Sequence, residues 1–192
     1  SLEGWLGALI SLFILKSGLE ILRDTLSSII GLRADSELTE AIKREICTFP
    51  NVSGAYDLSL HNYGPTKIIG SVHVELPDDM PAREIHKLTR AIAAKIAEDY
   101  GVILTVGVYA ACEDSEQLRA MKEKLLALAA ERTEVLQIHG FYAEEAAKCA
   151  MFDMIVDFSA DAAAVRDGML AELKKSYPDW HFDVVLDSDV SD

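Results

Sequence analysis

The sequence of 192 residues is poor in positive charge. It contains 18 Lys and Arg residues against 32 Asp and Glu residues, which gives a formal net charge of −14. Nucleic acids and anionic membrane surfaces attract an excess of Lys and Arg, so we expect no nucleic acid partner. Divalent cations are the natural complement of such an acidic chain.

Cysteine is scarce, and the familiar patterns of catalytic sites are missing. Cys47, Cys112 and Cys149 have no CxxC spacing, which excludes a disulfide scaffold or a zinc knuckle and favours a reducing compartment. The sequence has no GxSxG, P-loop or HExxH motif, and no cysteine lies in a recognisable nucleophile context. We therefore do not expect an enzyme.

A long hydrophobic run is also missing, because the uncharged stretch at residues 4–15 is shorter than the roughly 20 residues of a membrane span. An amphipathic helical pattern continues from it to residue 30. One interpretation is a buried or partner-docking helix. The other is a truncated last transmembrane helix, with Lys16, Arg23 and Arg33 at a cytoplasmic exit. We do not expect this opening run to be a secretory signal, because the basic n-region is missing and no small-residue cleavage site follows.

Two copies of one pattern follow this N-terminal segment. Apolar spacing predicts a helix from Asp35 or Ser36 to about Phe49, two strands around Gly64 and Pro65, a helix over residues 81–99 and a strand over residues 102–108. The same order of elements is predicted again downstream, for residues 114–132, 134–142, 149–158, 161–176 and 181–186. Each copy is therefore an αββαβ unit.

The predicted fold class is α+β, with two ferredoxin-like units that lack the first strand of that fold. We expect three segments: an N-terminal helix at 1–31, a first domain at 32–112 and a second, acidic domain at 113–192. The net charge is −4 over residues 1–112 and −10 over residues 113–192. Short matches support the duplication. They pair Leu58-x-Leu60-His61 with Leu136-x-Ile138-His139, and residues 72–76 with residues 154–158.

Histidine provides the candidate metal ligands. His73 and Glu75 project from the polar face of one predicted strand, and His86 lies at the flank of the following helix. This pair of histidines, with Glu75 and His61 as helpers, suits zinc or manganese.

The remaining two histidines have no acidic or sulfur neighbour at ligand spacing in the sequence. For His139 and His181 we therefore expect solvated surface imidazoles.

The stretch "GAYDLSLHNYGPTKIIGSVHVELPDDMPAREIH" resembles the cytoplasmic C-terminal domain of the cation diffusion facilitator, or cation efflux, family. The run "GWLGALISLFILKSGLEILRDTLSSIIG" is similar to the sixth membrane helix of that family and its exit. The resemblance covers residues 4 to about 110. It implies five further helices upstream and an αββαβ domain that forms a homodimer and binds metal to regulate transport of divalent ions.

The resemblance also implies five metal-ligand positions, and this sequence departs from three. In the G-x-H-D-L motif Tyr56 replaces the histidine, and in the closing H-x-D-P motif Gly107 and Tyr109 replace both ligands. His73 and His86 remain. Two imidazoles form a weak site unless Glu75, His61, water or another protomer completes it.

The sequence thus predicts the cytoplasmic regulatory and dimerisation portion of a divalent cation efflux transporter, which is not able to transport by itself. Residues 32–192 are expected in the cytoplasm and the N-terminal helix in the cell membrane. The alternative is a soluble ligand-sensing module, with a small molecule bound in a pocket between the two αββαβ units.

Overall fold

The computed structural model describes residues 2–30, 36–63, 67–111 and 115–187. It contains five helices and six strands within those ranges. They are α1 Leu2–Ile30, α2 Ser36–Ile46, β1 Gly54–Asn62, β2 Ile68–Pro77, α3 Ala82–Tyr100, β3 Val102–Ala111, α4 Glu116–Ala130, β4 Val135–Glu144, β5 Cys149–Val156, α5 Ala162–Ser176 and β6 His181–Asp187. The predicted αββαβ order is confirmed in both copies.

The first unit comprises α2 to β3, and the second unit comprises α4 to β6. Each unit has a three-stranded sheet with its hairpin antiparallel and its last two strands parallel, in the order β1-β2-β3 and β4-β5-β6. A parallel pair needs a crossover connection, which α3 and α5 supply. The predicted Asp35 cap and the turn at Gly64 and Pro65 lie outside the described residues.

Local sequence explains where the helices of the second unit begin. Ser115 caps α4 by accepting a hydrogen bond from the backbone N–H of Gln117 at 3.2 Å. Asp161 caps α5 in the same way through the N–H of Ala164 at 3.1 Å. Such side chains replace hydrogen bonds that the first helical turn cannot make internally.

Each unit has its own hydrophobic core between its helices and one face of its sheet. The first core is built around Ile42, Ile46, Val72, Val74, Ile92 and Ile96. The second is built around Met121, Leu125, Phe152, Met154, Met169 and Leu173. Strand side chains alternate between the two faces of a sheet. His73 and Glu75 in the first sheet, and Asp153 in the second, therefore lie on the faces opposite these cores.

The helix α1 is not packed on either core. Its segment Glu3–Arg23 has a mean hydropathy of 1.7, is long and apolar enough to cross a membrane, and is 0% buried. Trp5 and Phe13 are 80% and 69% exposed. The interpretation of α1 as a helix buried within this chain is therefore wrong.

The two units contact each other through β3 and β4. Glu75 lies on the face of β2 opposite the first core, yet it is only 6% exposed. One of its carboxylate oxygens lies 2.8 Å from the ammonium group of Lys122 in α4, and the other accepts a hydrogen bond from Ser53 at 2.9 Å. Glu75 is thus part of the interface between the units.

A carboxylate and histidine cluster between the two units

Six side chains meet at the contact between the units, and we call them the inter-unit cluster. They are Asp57, His73 and Tyr109 from the first unit and His139, Asp153 and Asp187 from the second. These residues are distributed over 131 positions of the chain, from 57 to 187. Only tertiary structure brings them together.

Asp57 lies at the centre of the cluster because the backbone of β1 turns it there. The register of β1 against β2 shifts between Tyr56 and Ser59, and Asp57 has a φ of 54°. A β-bulge of this kind redirects a side chain relative to regular alternation. Aspartate tolerates the left-handed region better than most residues.

Asp57 has three close partners. Its Oδ2 accepts a hydrogen bond from the Tyr109 hydroxyl at 2.7 Å and lies 2.9 Å from Nδ1 of His73, and its Oδ1 lies 2.8 Å from Nε2 of His139. Burial opposes ionisation of this carboxyl group, but the contacts with His139 and Tyr109 and the charges of His139 and His73 outweigh it. They lower the pKa of Asp57 to about 2.

His139 is the most enclosed member of the cluster. Its side chain is 0% exposed, and its Nε2 also lies 3.8 Å from Oδ2 of Asp153. Burial favours the neutral ring, but Asp57, Asp153 and Asp187 reverse this effect and raise the pKa of His139. Nδ1 of the buried ring has no hydrogen-bond partner, whereas Nε2 lies 2.8 Å from the carboxylate of Asp57.

Tyr109 connects the carboxylates of the two units. Its hydroxyl lies 2.7 Å from Asp57 and 2.9 Å from Asp153. A phenol has one proton, so it donates to only one of these carboxylates at a time. Burial and the two neighbouring carboxylates raise the pKa of Tyr109, which therefore stays protonated.

The cluster contains a group of metal-ligand atoms. Within the four described ranges, Asp57, His139 and Asp187 are the one set of three His, Cys, Asp or Glu residues whose ligand atoms all lie within 4.8 Å of one another. One imidazole and two carboxylates form a donor set of the kind that binds zinc and harder divalent ions.

The residues predicted from the sequence are only partly brought together. His73 contacts Asp57 and belongs to the cluster, but His86 lies on the exposed side of α3. His61 is exposed and contacts Ser59 at 3.0 Å, and Glu75 pairs with Lys122. A metal site at His73 and His86, with help from Glu75 and His61, stays a prediction.

His139 was expected at the surface, and this expectation is wrong. The sequence around it shows no nearby ligand because its acidic neighbours come from β1, β5 and β6. Burial, which only the structure gives, aligns the two copies correctly. The pattern of buried and exposed positions in β2 recurs in β5 at an offset of 80 residues.

That offset corrects the residue matches made from the sequence. Val72 corresponds to Phe152 and His73 to Asp153, so residues 72–76 do not match residues 154–158. In the hairpins Tyr56 pairs with His73, and His139 pairs with Asp153. His139 is therefore the counterpart of Tyr56 and not of His61.

The alternative of a ligand-sensing module predicted a pocket between the units. A cavity of about 70 Å³ lies there, lined in part by Tyr56, Glu75, Leu126 and His139. Sites for small organic ligands measure roughly 300 to 1,000 Å³. The cavity accommodates an ion with water, but it is too small for a metabolite.

Comparison with known proteins identifies the first unit. Residues 34–108 match the family model described as the cytoplasmic domain of cation efflux proteins. The chain is 30% identical over 83 residues to the cation-efflux pump FieF of Serratia proteamaculans. The matched region covers 43% of this chain and 27% of that protein. It is 27% identical over 90 residues to an uncharacterized transporter of Methanocaldococcus jannaschii. This matched region covers 47% of this chain and 31% of that protein.

Solved structures of C-terminal domains are similar to part of the chain. A nickel form of the MamM domain has a TM-score of 0.37 and 16% identity, and covers 40% of this chain and 99% of its own. A metal-bound domain of the CzcD transporter from Thermotoga maritima has a TM-score of 0.35 and 20% identity, and covers 41% and 90%. The chain spans about three tenths of the length of the curated relatives named above. Residues 34–108 of this chain are thus similar in sequence to the cytoplasmic domain of cation efflux proteins.

Proposed function

We propose that the two αββαβ units are the metal-responsive cytoplasmic portion of a divalent cation efflux transporter, and that a metal ion binds between them. Asp57, His139 and Asp187 would hold this ion. The family match of residues 34–108 supports the transporter context. The observation that carries the metal site is the buried His139, whose Nδ1 has no hydrogen-bond partner while its Nε2 lies 2.8 Å from Asp57 and 3.8 Å from Asp153.

The charge of the cluster supports a cation. Three carboxylates, those of Asp57, Asp153 and Asp187, lie around His139, and the single proton of Tyr109 serves two of them. Buried negative charge is costly unless it is compensated. A proton on His139 supplies part of the compensation, and a divalent ion bound by the deprotonated ring would supply more, with release of that proton.

The position of the ligands explains how metal would regulate the domain. Asp57 belongs to the first unit, and His139 and Asp187 belong to the second. An ion held by all three would stabilise the arrangement in which the units are in contact over any arrangement in which they are apart. A ligand shifts a conformational equilibrium by its difference in affinity for the two states. The signal would therefore be a change in the packing of the units.

The helix α1 would attach this portion to the membrane. Its segment Glu3–Arg23 is apolar and has no buried residue. Lys16 and Arg23 lie toward its C-terminal end, which precedes the two units. Basic residues are enriched on the cytoplasmic side of membrane helices, so the αββαβ units would lie in the cytoplasm.

The site is tested by calorimetric titration of the chain in detergent with zinc and manganese. We expect saturable binding that is lost in His139→Ala and in the isosteric Asp57→Asn. The matched controls are His86→Ala and His181→Ala, which change exposed histidines of α3 and β6 and should leave binding unchanged. Circular dichroism checks that each variant is folded.

Two results would contradict this assignment. Absence of binding by the folded wild-type chain would exclude the site. Binding that survives His139→Ala and disappears in a His73→Ala, His86→Ala double variant would place the ion at the histidines predicted from the sequence.

A further inference from the structure

The two units correspond residue by residue, and the strand registers define the correspondence. Tyr56 pairs with His73 on the neighbouring strand, and His139 pairs with Asp153, the counterpart of His73. Tyr56 and His139 each precede a bulge. The next residues, Asp57 and Gly140, both have a left-handed backbone with φ values of 54° and 62°. Asp57 and Gly140 are therefore counterparts.

The remaining elements follow the same correspondence. Tyr109 pairs with Glu75 in the first sheet, and Asp187 pairs with Ile155 in the second, so Tyr109 and Asp187 are counterparts. In the helices, the buried residues Thr39, Ile42 and Ile46 recur as Leu118, Met121 and Leu125 with the same spacing.

Counterparts meet across the contact between the units. The rings of Tyr56 and His139 are stacked, with centroids 5.3 Å apart and planes inclined by 10°. A residue that faces its own equivalent marks the axis of a twofold, isologous interface. The contact within this chain thus has the form of a symmetric dimer interface.

The two halves of this interface differ in their metal-ligand groups. Asp57, His139 and Asp187 form one set. Exchanging each residue for its counterpart gives Gly140, Tyr56 and Tyr109, which contain neither a carboxylate nor an imidazole. The Tyr109 ring also lies close to Gly140, since a Cβ atom there would be 3.2 Å from it.

We propose that the second unit takes the place of a partner chain. The two units of one chain form a twofold-like pair with a single metal site, and Tyr56 and Tyr109 occupy the position of the second site. The pairing stands without the proposed function, whereas the count of one ion per chain rests on it. The homodimer implied by the family resemblance would, at this interface, be replaced by an internal pair.

Thiol cross-linking tests the pairing, with metal removed by a chelator. Ser53 contacts Glu75, and Leu126 lines the same cavity as Glu75 from the second unit. In a background with serine at positions 47, 112 and 149, we would introduce Ser53→Cys and Leu126→Cys and treat the chain with a short bifunctional maleimide. Lys122 remains to pair with Glu75.

The matched control uses a native thiol. Helix alignment makes the exposed Cys47 the counterpart of Leu126. A variant with Ser53→Cys, native Cys47 and native Leu126 would cross-link two chains only if first units pair between chains. Both variants are diluted into an excess of empty micelles before treatment, so that chance pairs in one micelle are rare.

We expect an internal link between positions 53 and 126 without an increase in mass, and no covalent dimer of the control. Covalent dimers of either variant would overturn the proposal, because units would then pair between chains. A folded Ser53→Cys, Leu126→Cys chain that forms no link would also overturn it.

The number of zinc ions per chain, measured by elemental analysis, is a separate readout. One ion supports the single site, and two ions would refute the role of the tyrosines. No bound ion would contradict the proposed metal site and leave the pairing to the cross-linking result.

Discussion

Replacing Lys122 by methionine removes the cation that pairs with Glu75 across the contact between the units. Breaking a fully buried pair costs about 3–5 kcal/mol, and an exposed pair contributes about 0–1 kcal/mol. The side chains of Lys122 and Glu75 are 28% and 8% exposed, so the pair lies between these limits. Ser53 still donates to the other oxygen of Glu75 at 2.9 Å. We therefore expect Lys122→Met to lower the free energy of unfolding by about 2 kcal/mol.

The assay is urea unfolding of the chain in detergent, followed by circular dichroism. With a slope of about 2 kcal/mol per M, the midpoint should fall by about 1 M. Lys174→Met is the matched control, because it changes an exposed lysine near the end of α5, and it should shift the midpoint by little. Methionine and lysine have similar helix propensities, so backbone effects are comparable.

A double-mutant cycle with Glu75→Gln isolates the pair. If Lys122 acts through Glu75, its replacement should cost little in the Glu75→Gln background, which corresponds to a coupling of about 2 kcal/mol. An effect of Lys122→Met below about 0.5 kcal/mol, or an equal effect in both backgrounds, would refute the reasoning that this pair stabilises the contact.

Three further predictions concern the bulge, the tyrosines and α1. Gly140→Ala should lower the thermal stability of the chain by more than Gly101→Ala. Both glycines have a positive φ, which costs alanine about 1–2 kcal/mol, but only a Cβ atom at position 140 would meet other atoms, at 3.0 and 3.2 Å. Equal losses of stability would contradict the close approach at Gly140. Replacing Tyr56 by His, Tyr109 by Asp and Gly140 by Asp should raise the zinc content from one to two ions per chain, and a folded variant that still binds one ion would count against the correspondence of the two sites. Adding lipid vesicles should shift the fluorescence emission of Trp5 to shorter wavelength. Trp5→Phe should abolish this shift, because the other tryptophan, Trp180, is only 5% exposed and is already shielded from water. An unchanged spectrum of the wild-type chain would argue against membrane insertion.

Periodicity located most elements of this fold to within a few residues. The strand predicted over residues 102–108 extends to Ala111, and the helix predicted over residues 114–132 runs from Glu116 to Ala130. These patterns succeed because each unit buries one helix stripe and one strand face, and that burial imposes the spacing of apolar residues. The residue matches between copies failed because short apolar strands resemble one another in several registers.

The candidate site was largely beyond sequence reasoning. His73 was identified because its strand alternates cleanly, whereas His139 has acidic partners 82 and 48 positions away at Asp57 and Asp187. Asp57 is directed to them by a bulge, and a bulge breaks the alternation on which strand-face predictions depend. Ligand spacing along the chain carries no information when the ligands come from different strands.

The sequence by itself determined the two αββαβ units, the acidic balance and the apolar N-terminal helix, because local periodicity and composition are properties of the chain. Only the tertiary structure decided that the units contact each other within one chain and enclose His139 among carboxylates. The physical reason is that the faces of the two sheets opposite their cores meet through residues far apart in the sequence, so no local pattern predicts their contact. Their pairing depends on hydrogen bonds, stacking and charges that arise when residues distant in sequence meet.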